Sequence, residues 1–269
     1  MKKFMILIVV FCTASTLSFA QFRTVKNEAF QRGEKLTYSV YYEAALTGKV
    51  KAGTATLEIK DENKIINNRN TFHVVAYGKT RGAFNFFFKV IDRYETYIDE
   101  ESIAPWLFIR RVDEGGYIIN QDVTFNQSKK VAYFKDLKRE RTATVVTPEY
   151  VQDIISAFYY ARTYEFSGSS SKTEFPVKFM LDDTVYSTKF VYLGKETVNT
   201  SLGKIRCLKF KPQVLTGTTF KDPYPMTIYI SDDKNRIPVL AESEVVVGKV
   251  KLELISYTGL RNNFTAMLE

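Results

Sequence analysis

The sequence predicts a mainly β protein, built as a strongly curved antiparallel sheet or a partly open β-barrel with one amphipathic helix packed on its concave side. Two observations predict this fold class. Polar and apolar residues alternate with a period of two through nearly all of the chain after Phe30, as they do in half-buried antiparallel strands. The segment 147–166 breaks this alternation and repeats with helical spacing. The apolar stripe of a helix must be buried against another element, and the concave face of the sheet is the simplest surface for it to pack on.

The first twenty residues predict a cleaved signal peptide. Lys2 and Lys3 precede a short apolar run, and the stretch Ser18-Phe19-Ala20 provides a cleavage site after a small residue. The apolar run is shorter than the roughly 20 residues that a membrane-spanning helix needs. We therefore expect an exported protein that is periplasmic or secreted and is soluble after cleavage.

Cys12 does not predict lipid attachment, because Val10 and Phe11 stand where a lipoprotein cleavage site has small residues. The remaining chain, 21–269, is long enough for one large antiparallel β domain with a substantial core. The Ser-rich and Gly-containing stretch within 164–173 would be the joint if this domain consisted of two lobes.

Individual strands follow from the alternation, and short turn signals such as Gly115-Gly116 separate them. In "GKVKLELISY", Val250, Leu252 and Leu254 share the face that we expect to be buried. The other segments of this kind are "KLTYSVYY", "AGTATLEI", "TFHVVAYG", "EFPVKFMLDD", "TVYSTKFVYLG", "KIRCLKF" and "PMTIYI".

The helix is predicted in "TPEYVQDIISAFYYARTYEF", with Thr147 as N-cap and Pro148 at the first helical position. Its apolar face would bury against the sheet, while Gln152 and Asp153 would stay near solvent. The residues of this face that we also consider as a ligand-binding lining are Ile154, Ile155 and Phe158.

The aromatic run "FNFFFKV" is predicted to be a strand that is apolar on both faces, with Phe84, Phe86 and Phe88 on one side and Phe87 on the other. Two interpretations stay open. The rings either fill an ordinary core, as aromatic side chains commonly do, or Phe84, Phe86 and Phe88 line a cavity for an apolar ligand.

The chain carries 38 basic and 30 acidic residues, so it is net positive. In an exported protein, this charge favours lipid head groups or acidic polysaccharides as partners, and we expect no nucleic-acid partner. A basic stretch is a candidate for contact with an anionic surface, and a solvated hairpin is the simpler alternative. The candidate residues are Lys129, Lys130, Lys138, Arg139 and Arg141.

Few residues could carry catalysis. His73 is the single histidine of the chain, and its place in "TFHVVAY" is typical of a strand histidine with a satisfied hydrogen bond. Together with Cys207 it cannot supply a structural zinc site, and no nucleophile motif accompanies it. Carboxylate pairs such as Asp92 with Glu95 leave a glycan hydrolase open as a lesser alternative. We predict no catalytic residue, no metal and no cofactor.

Several segments resemble a known family. The most specific are "DRYETY", "QDIISAFYYAR" and "SDDKNRIPV", which occur in this order across the chain. They are similar to segments of exported bacterial proteins catalogued as domain of unknown function 3108. The resemblance implies a mostly antiparallel β fold and an address in the Gram-negative envelope. It implies no catalytic residues.

The leading hypothesis is a non-enzymatic envelope protein that binds a hydrophobic or amphipathic component, such as a lipid, on the concave surface shared by sheet and helix. The alternative is a protein-interaction module that helps to assemble envelope polymers through its basic hairpin and exposed aromatic residues. An interior cavity favours the first hypothesis, and a flat aromatic patch favours the second. The oligomeric state is left open.

The export prediction can be tested on protein recovered from the cell envelope. Cleavage after Ala20 gives a mature chain that begins at Gln21 and carries no acyl group. Intact-mass measurement checks both properties, and a diacylated Cys12 would contradict them.

Overall fold

The computed structural model describes residues 22–45, 48–166, 168–214, 222–245 and 248–269. The signal peptide predicted for 1–20 therefore lies outside the described residues, and so does Gln21.

The described residues form a sheet of fifteen strands. Its first part comprises β1 (Lys35–Ala44), β2 (Gly48–Ile59), β3 (Lys64–Ile66), β4 (Arg69–Thr80), β5 (Val90–Asp99), β6 (Pro105–Glu114), β7 (Tyr117–Asn126), β8 (Val131–Asp136) and β9 (Arg141–Val146). Its second part comprises β10 (Glu174–Leu181), β11 (Thr184–Thr200), β12 (Gly203–Pro212), β13 (Met226–Ser231), β14 (Pro238–Glu244) and β15 (Lys249–Thr258).

Every ladder between these strands is antiparallel, and most strands pair with their neighbours in sequence. β1 pairs with β15, so the first and last strands meet in the middle of the sheet, while β9 and β10 form its two edges. β3 pairs only with β4. The sheet order is β10-β11-β12-β13-β14-β15-β1-β2-β4-β5-β6-β7-β8-β9. The predicted fold class, a curved and partly open antiparallel sheet with a helix on its concave side, is confirmed.

Within the described residues, two helices interrupt the strands, α1 (Gly82–Phe87) and α2 (Ile154–Arg162). α2 begins later than predicted. Its N-cap is Asp153, whose side chain accepts hydrogen bonds from the backbone N–H groups of Ile155 and Ser156, and the Ser156 hydroxyl accepts one from the Asp153 N–H. This capping box replaces the predicted cap at Thr147.

The buried face of α2 also differs from the prediction. Ser156, Tyr159 and Arg162, three residues apart, are its buried side chains. Gln152 and Asp153, which we expected near solvent, are buried as well. The physical reason is that the chain before α2 runs along β10, where the backbone of Gln152 forms hydrogen bonds with Lys178 and Met180.

The aromatic run is not a strand. Gly82 has a positive φ of 58°, which turns the chain out of β4 into the short helix α1, and Phe88 N–H donates to the Phe84 carbonyl in the helical manner. Phe86 and Phe87 are 89% and 83% exposed. The expected apolar strand is therefore wrong, because its rings lie on a helical turn beyond the end of the sheet.

A buried ion pair fixes the C-terminal end of α2. The Arg162 guanidinium donates to both carboxylate oxygens of Glu34, at 2.6 and 2.7 Å, and both side chains are fully buried. Arg162 also donates to the carbonyls of Asn235 and Ala29. Burial lowers the pKa of Arg162, but the Glu34 carboxylate outweighs this effect and the pKa is raised. One side chain thus joins α2 to the chain before β1 and to the β13–β14 turn.

The open side of the sheet is held by side chains. Asp182 and Asp183, at the tip of the β10–β11 hairpin, form ion pairs with Arg110 of β6 at 3.1 Å and with Arg141 of β9 at 2.9 Å. Met180 of the same hairpin packs into an apolar cluster with residues of β6, β7 and β8. The hairpin therefore closes against the far half of the sheet without a strand ladder.

The ion pair of α2 leads to a prediction about stability. Glu34→Gln leaves the Arg162 charge buried and unpaired, so we expect a loss of about 3–5 kcal/mol in the free energy of unfolding. The matched control is Glu174→Gln, which removes an exposed pair with Lys189 and should cost less than about 1 kcal/mol. Denaturant unfolding measures both changes, and equal losses would contradict the argument.

Asp153 leads to a prediction about pH. Burial raises the pKa of its carboxyl from 3.8 to about 6, although hydrogen bonds from Thr96, Ser156 and Ile155 oppose the shift. The folded state then binds this proton more readily than the unfolded state. The contribution of Asp153 to stability therefore increases as the pH falls from 7 through 6 toward 4.

Asp153→Asn keeps a good N-cap and removes the titration. We expect this variant to gain stability over the parent at pH 7, by an amount on the order of 3 kcal/mol that vanishes near pH 4. Unfolding of both proteins across this pH range measures the difference. A difference independent of pH would show that the Asp153 carboxyl does not titrate in this window.

Candidate functional site

The concave face of the sheet and α2 line an open apolar cavity of about 480 Å³. One row of its lining crosses four neighbouring strands in register: Ile228 of β13, Ala241 of β14, Leu252 of β15 and Val40 of β1. The row is continuous because side chains at paired positions point to the same face of an antiparallel sheet. The volume lies within the usual range for small-molecule sites.

The cavity exists because small side chains occupy the concave face where larger ones would fill it. Ala55 of β2, Ala76 of β4 and Ala241 of β14 all line it. At one side Tyr38 closes the wall, and its hydroxyl donates to the Pro238 carbonyl at 3.1 Å. Burial raises the pKa of Tyr38 well above its usual value, so the hydroxyl stays neutral. The lining thus presents hydrocarbon with few polar groups.

Two of the helix residues predicted to line a site do so. Ile155 and Phe158 of α2 face the cavity and are only half-buried, whereas Tyr159 on the neighbouring helix position is fully buried. Ile154 instead packs against the apolar cluster that contains Phe108 and Met180. The position of α2, set by Asp153 and Arg162, therefore decides which helix residues reach the cavity.

The predicted aromatic lining lies elsewhere. Phe84, Phe86 and Phe88 do not line this cavity, because α1 carries them to the end of the sheet. Phe84 packs on Tyr42, with 5.7 Å between ring centroids, and Phe88 lies against Gly115, where a Cβ would stand 2.7 Å from its ring. Neither of the two interpretations of this run, core or cavity wall, describes its position.

The five basic candidates do not form one patch. Lys129 and Lys130 lie in the β7–β8 turn, while Lys138 and Arg139 lie in the β8–β9 turn. The six-residue strand β8 separates these turns by roughly 20 Å. Lys130 pairs with Glu149, Arg139 with Asp136, and Arg141 with Asp183. The stretch is a hairpin, as the simpler alternative predicted, and three of its five cations already have acidic partners.

Asp92 and Glu95, the pair of carboxylates considered for catalysis, do not converge. Asp92 and Glu95 are three residues apart on β5, so their side chains lie on opposite faces of the sheet. The Glu95 carboxylate accepts one hydrogen bond from Arg93 at 2.7 Å and forms another with His73 Nε2 at 2.7 Å. His73 is thus a strand histidine with a hydrogen-bond partner, as predicted, and it stacks on Tyr97.

Asp92 has a different environment. Burial and the nearby Glu114 carboxylate raise the pKa of Asp92 to about 6. Cys207 is buried, and burial raises the pKa of its thiol to about 12, in agreement with a small core residue.

A second depression, of about 490 Å³, is polar and lies beside the β13–β14 turn. Charged groups on its wall bind one another: Asp232 pairs with Lys195 at 2.9 Å and with Arg206 at 3.2 Å. Because these charged side chains are already paired with one another, few of them are available to bind a ligand. The apolar cavity is therefore the stronger candidate for a binding site.

Within the described ranges, no three metal-ligating side chains come together. Neither described helix has the length and apolar character needed to cross a bilayer.

Sequence reasoning missed the sheet side of the cavity. Alanine at positions 55, 76 and 241 gives no pattern distinct from that of any half-buried strand. Only the register of strands far apart in the chain brings these three positions to one surface. The alternation in β15 predicted that Val250 and Leu252 share an inward face, and both residues line the cavity.

Comparison with known proteins agrees with this architecture. A family model described as a protein of unknown function, DUF3108, matches residues 37–255. Among curated proteins, no sequence matches the chain. A crystal structure of a β-barrel-like protein of domain of unknown function DUF1849 from Brucella abortus superposes with a TM-score of 0.56 at 12% identity, covering 88% of this chain and 99% of that one. At this identity the likeness shows the fold alone.

Two other solved structures are more distant. One is a candidate exported protein with a YmcC-like fold from Bacteroides fragilis, with a TM-score of 0.34, 10% identity and coverage of 87% of this chain and 99% of that one. The other is a candidate lipoprotein from Parabacteroides distasonis, with a TM-score of 0.35, 12% identity and coverage of 88% and 100%.

Proposed function

The chain belongs to the DUF3108 family of proteins of unknown function, and from its apolar cavity we propose that it is a non-enzymatic binding protein of the bacterial envelope that takes a hydrophobic or amphipathic ligand such as a lipid. The observation that carries the proposal is the open apolar cavity between the sheet and α2. Soluble proteins rarely expose a contiguous apolar surface of this kind unless something binds it. An open apolar space of about 480 Å³ favours an occupant of matching chemistry.

Three features support a ligand of this class. The cavity wall is hydrocarbon, which favours the transfer of an acyl chain from water. Half-buried Ile155 and Phe158 would gain burial when the cavity fills. Glu242 is the one carboxylate on the described lining, so the paired acids that glycan hydrolysis uses do not meet there.

The predicted signal peptide supports a location in the cell envelope. The ligand would then come from the membranes that border the periplasm.

Filling the cavity tests the proposal. Ala241→Leu adds three heavy atoms to the middle of the apolar row, between Ile228 and Leu252. We expect it to weaken the binding of dansyl-labelled undecanoic acid about tenfold, because the added side chain occupies space that the probe needs. We also expect no loss of stability, because a true void accepts the added atoms without strain. Fluorescence titration and denaturant unfolding on the same protein measure both effects.

The control is Thr227→Leu, which adds a similar side chain to the other face of β13, next to Ile228. It should leave probe affinity unchanged. Equal affinity in the parent and Ala241→Leu proteins would place the probe elsewhere. A strong destabilisation by Ala241→Leu would show that the row is close-packed, and either result would overturn the proposal.

A further inference from the structure

α1 presents aromatic surface that the fold does not use. Phe84 and Phe88 hold the helix on the end of the sheet through Tyr42 and Gly115. Phe86 and Phe87 project beyond it, 89% and 83% exposed, with their rings edge to face at 5.9 Å. Single exposed apolar residues are ordinary, but two adjacent phenylalanine rings on a supported tip form an apolar contact surface.

The segment that carries the rings is basic. Lys79, Arg81 and Lys89 flank the rings, and the stretch 79–91 contains no acidic residue. Within the described part of the chain, none of these three cations forms an ion pair, and the Arg81 guanidinium donates to the Thr54 hydroxyl at 3.2 Å.

The acids nearest to the tip belong to strands of the sheet and not to the segment 79–91. Asp113 and Glu114 end β6, where Glu114 lies beside Asp92 of β5 and the Asp113 carboxylate accepts a hydrogen bond from the Gly116 N–H. Glu43 of β1 stands in register with Lys49 and Lys249. The segment 79–91 thus combines apolar rings with cations, which is the composition that suits the interface of an anionic bilayer.

The tip also lies beside the cavity. Val40 lines the cavity, and Tyr42, two residues on, continues the same face of β1 toward α1. Tyr42 pairs with Val250 of the lining on one side and carries the Phe84 ring on the other. Apolar contacts thus lead from Phe84 of α1 through Tyr42 to Val250 of the cavity lining.

We propose that α1 is a membrane-docking element: Phe86 and Phe87 insert into the surface of an anionic phospholipid bilayer, Lys79, Arg81 and Lys89 bind its phosphates, and the cavity mouth is placed against the lipid. The docking proposal rests only on the exposed rings of α1 and the cations that flank them. The delivery of lipid to the cavity rests on the proposed function.

Vesicle flotation tests the docking. The parent protein should bind vesicles of phosphatidylethanolamine with phosphatidylglycerol, bind pure phosphatidylcholine vesicles weakly, and lose binding as salt is raised. Phe86→Ser with Phe87→Ser should lower vesicle binding by about tenfold or more, because two large apolar side chains no longer leave water. Arg81→Glu with Lys89→Glu should lower it as well and reduce its dependence on salt.

Val146→Ser is the matched control, because Val146 is 81% exposed at the opposite end of the sheet. It should leave vesicle binding unchanged. Phe86→Trp supplies a direct readout, since insertion shifts its fluorescence to shorter wavelength on anionic vesicles.

The outcomes separate docking from cavity binding. In solution, the Phe86→Ser, Phe87→Ser protein should bind dansyl-labelled undecanoic acid as the parent does, and its unfolding midpoint should be unchanged because both rings are exposed. Unchanged vesicle binding by this variant would overturn the docking proposal, as would equal binding to neutral vesicles. Normal docking by a protein that binds no probe would leave the docking standing and remove the cavity function.

Discussion

The position of α2 depends on one buried interaction, the ion pair between Arg162 and Glu34. Two fully buried charges are tolerated only when they satisfy each other, and here two short hydrogen bonds join them. Arg162 donates in addition to carbonyls that belong to the chain before β1 and to the β13–β14 turn. The C-terminal end of the helix is thus tied to two segments that adjoin strands lining the cavity. Hydrophobic burial is not directional, so it does not by itself fix the position of α2 along the sheet. Without the ion pair, α2 could shift along the sheet with little change in its buried apolar area.

The two ends of α2 are fixed to different parts of the sheet. At the N-terminal end, Asp153 caps the helix and accepts a hydrogen bond from Thr96 of β5. At the C-terminal end, Arg162 fixes the helix to the other half of the sheet. Between them, Tyr159 packs edge to face on Phe30, 4.8 Å between centroids, while Phe158 turns toward open space. The cavity is therefore a consequence of a helix held at two points above a sheet face that carries Ala55, Ala76 and Ala241.

Features set by residues close together in the sequence could be predicted, and features set by contacts between residues far apart in the sequence could not. Strand alternation is local, so the antiparallel fold and the inward face of β15 could be predicted. The start of α2 could not, because both Thr147 and Asp153 are good N-caps and the choice is made by pairing with β10, far along the chain. The aromatic run failed for a related reason. Phenylalanine favours strands, but Gly82 with its positive φ turned the chain before a strand could continue. The ion pair joins residues 128 positions apart, and no local pattern shows it.

The β10–β11 hairpin contacts β6 and β9 through side chains, and this affects the size of the interior. In a barrel closed by backbone ladders, the number of strands and their shear set the diameter. Here the last contact runs through Arg110 with Asp182 and Arg141 with Asp183, whose side chains can rotate and whose charges keep attracting over a range of separations. The circumference can widen or narrow by small shifts of one hairpin while every strand keeps its backbone partners. Under the proposed function, acyl chains of different length and branching could then be accommodated by one scaffold, with selectivity set by the separation between this hairpin and the facing strands.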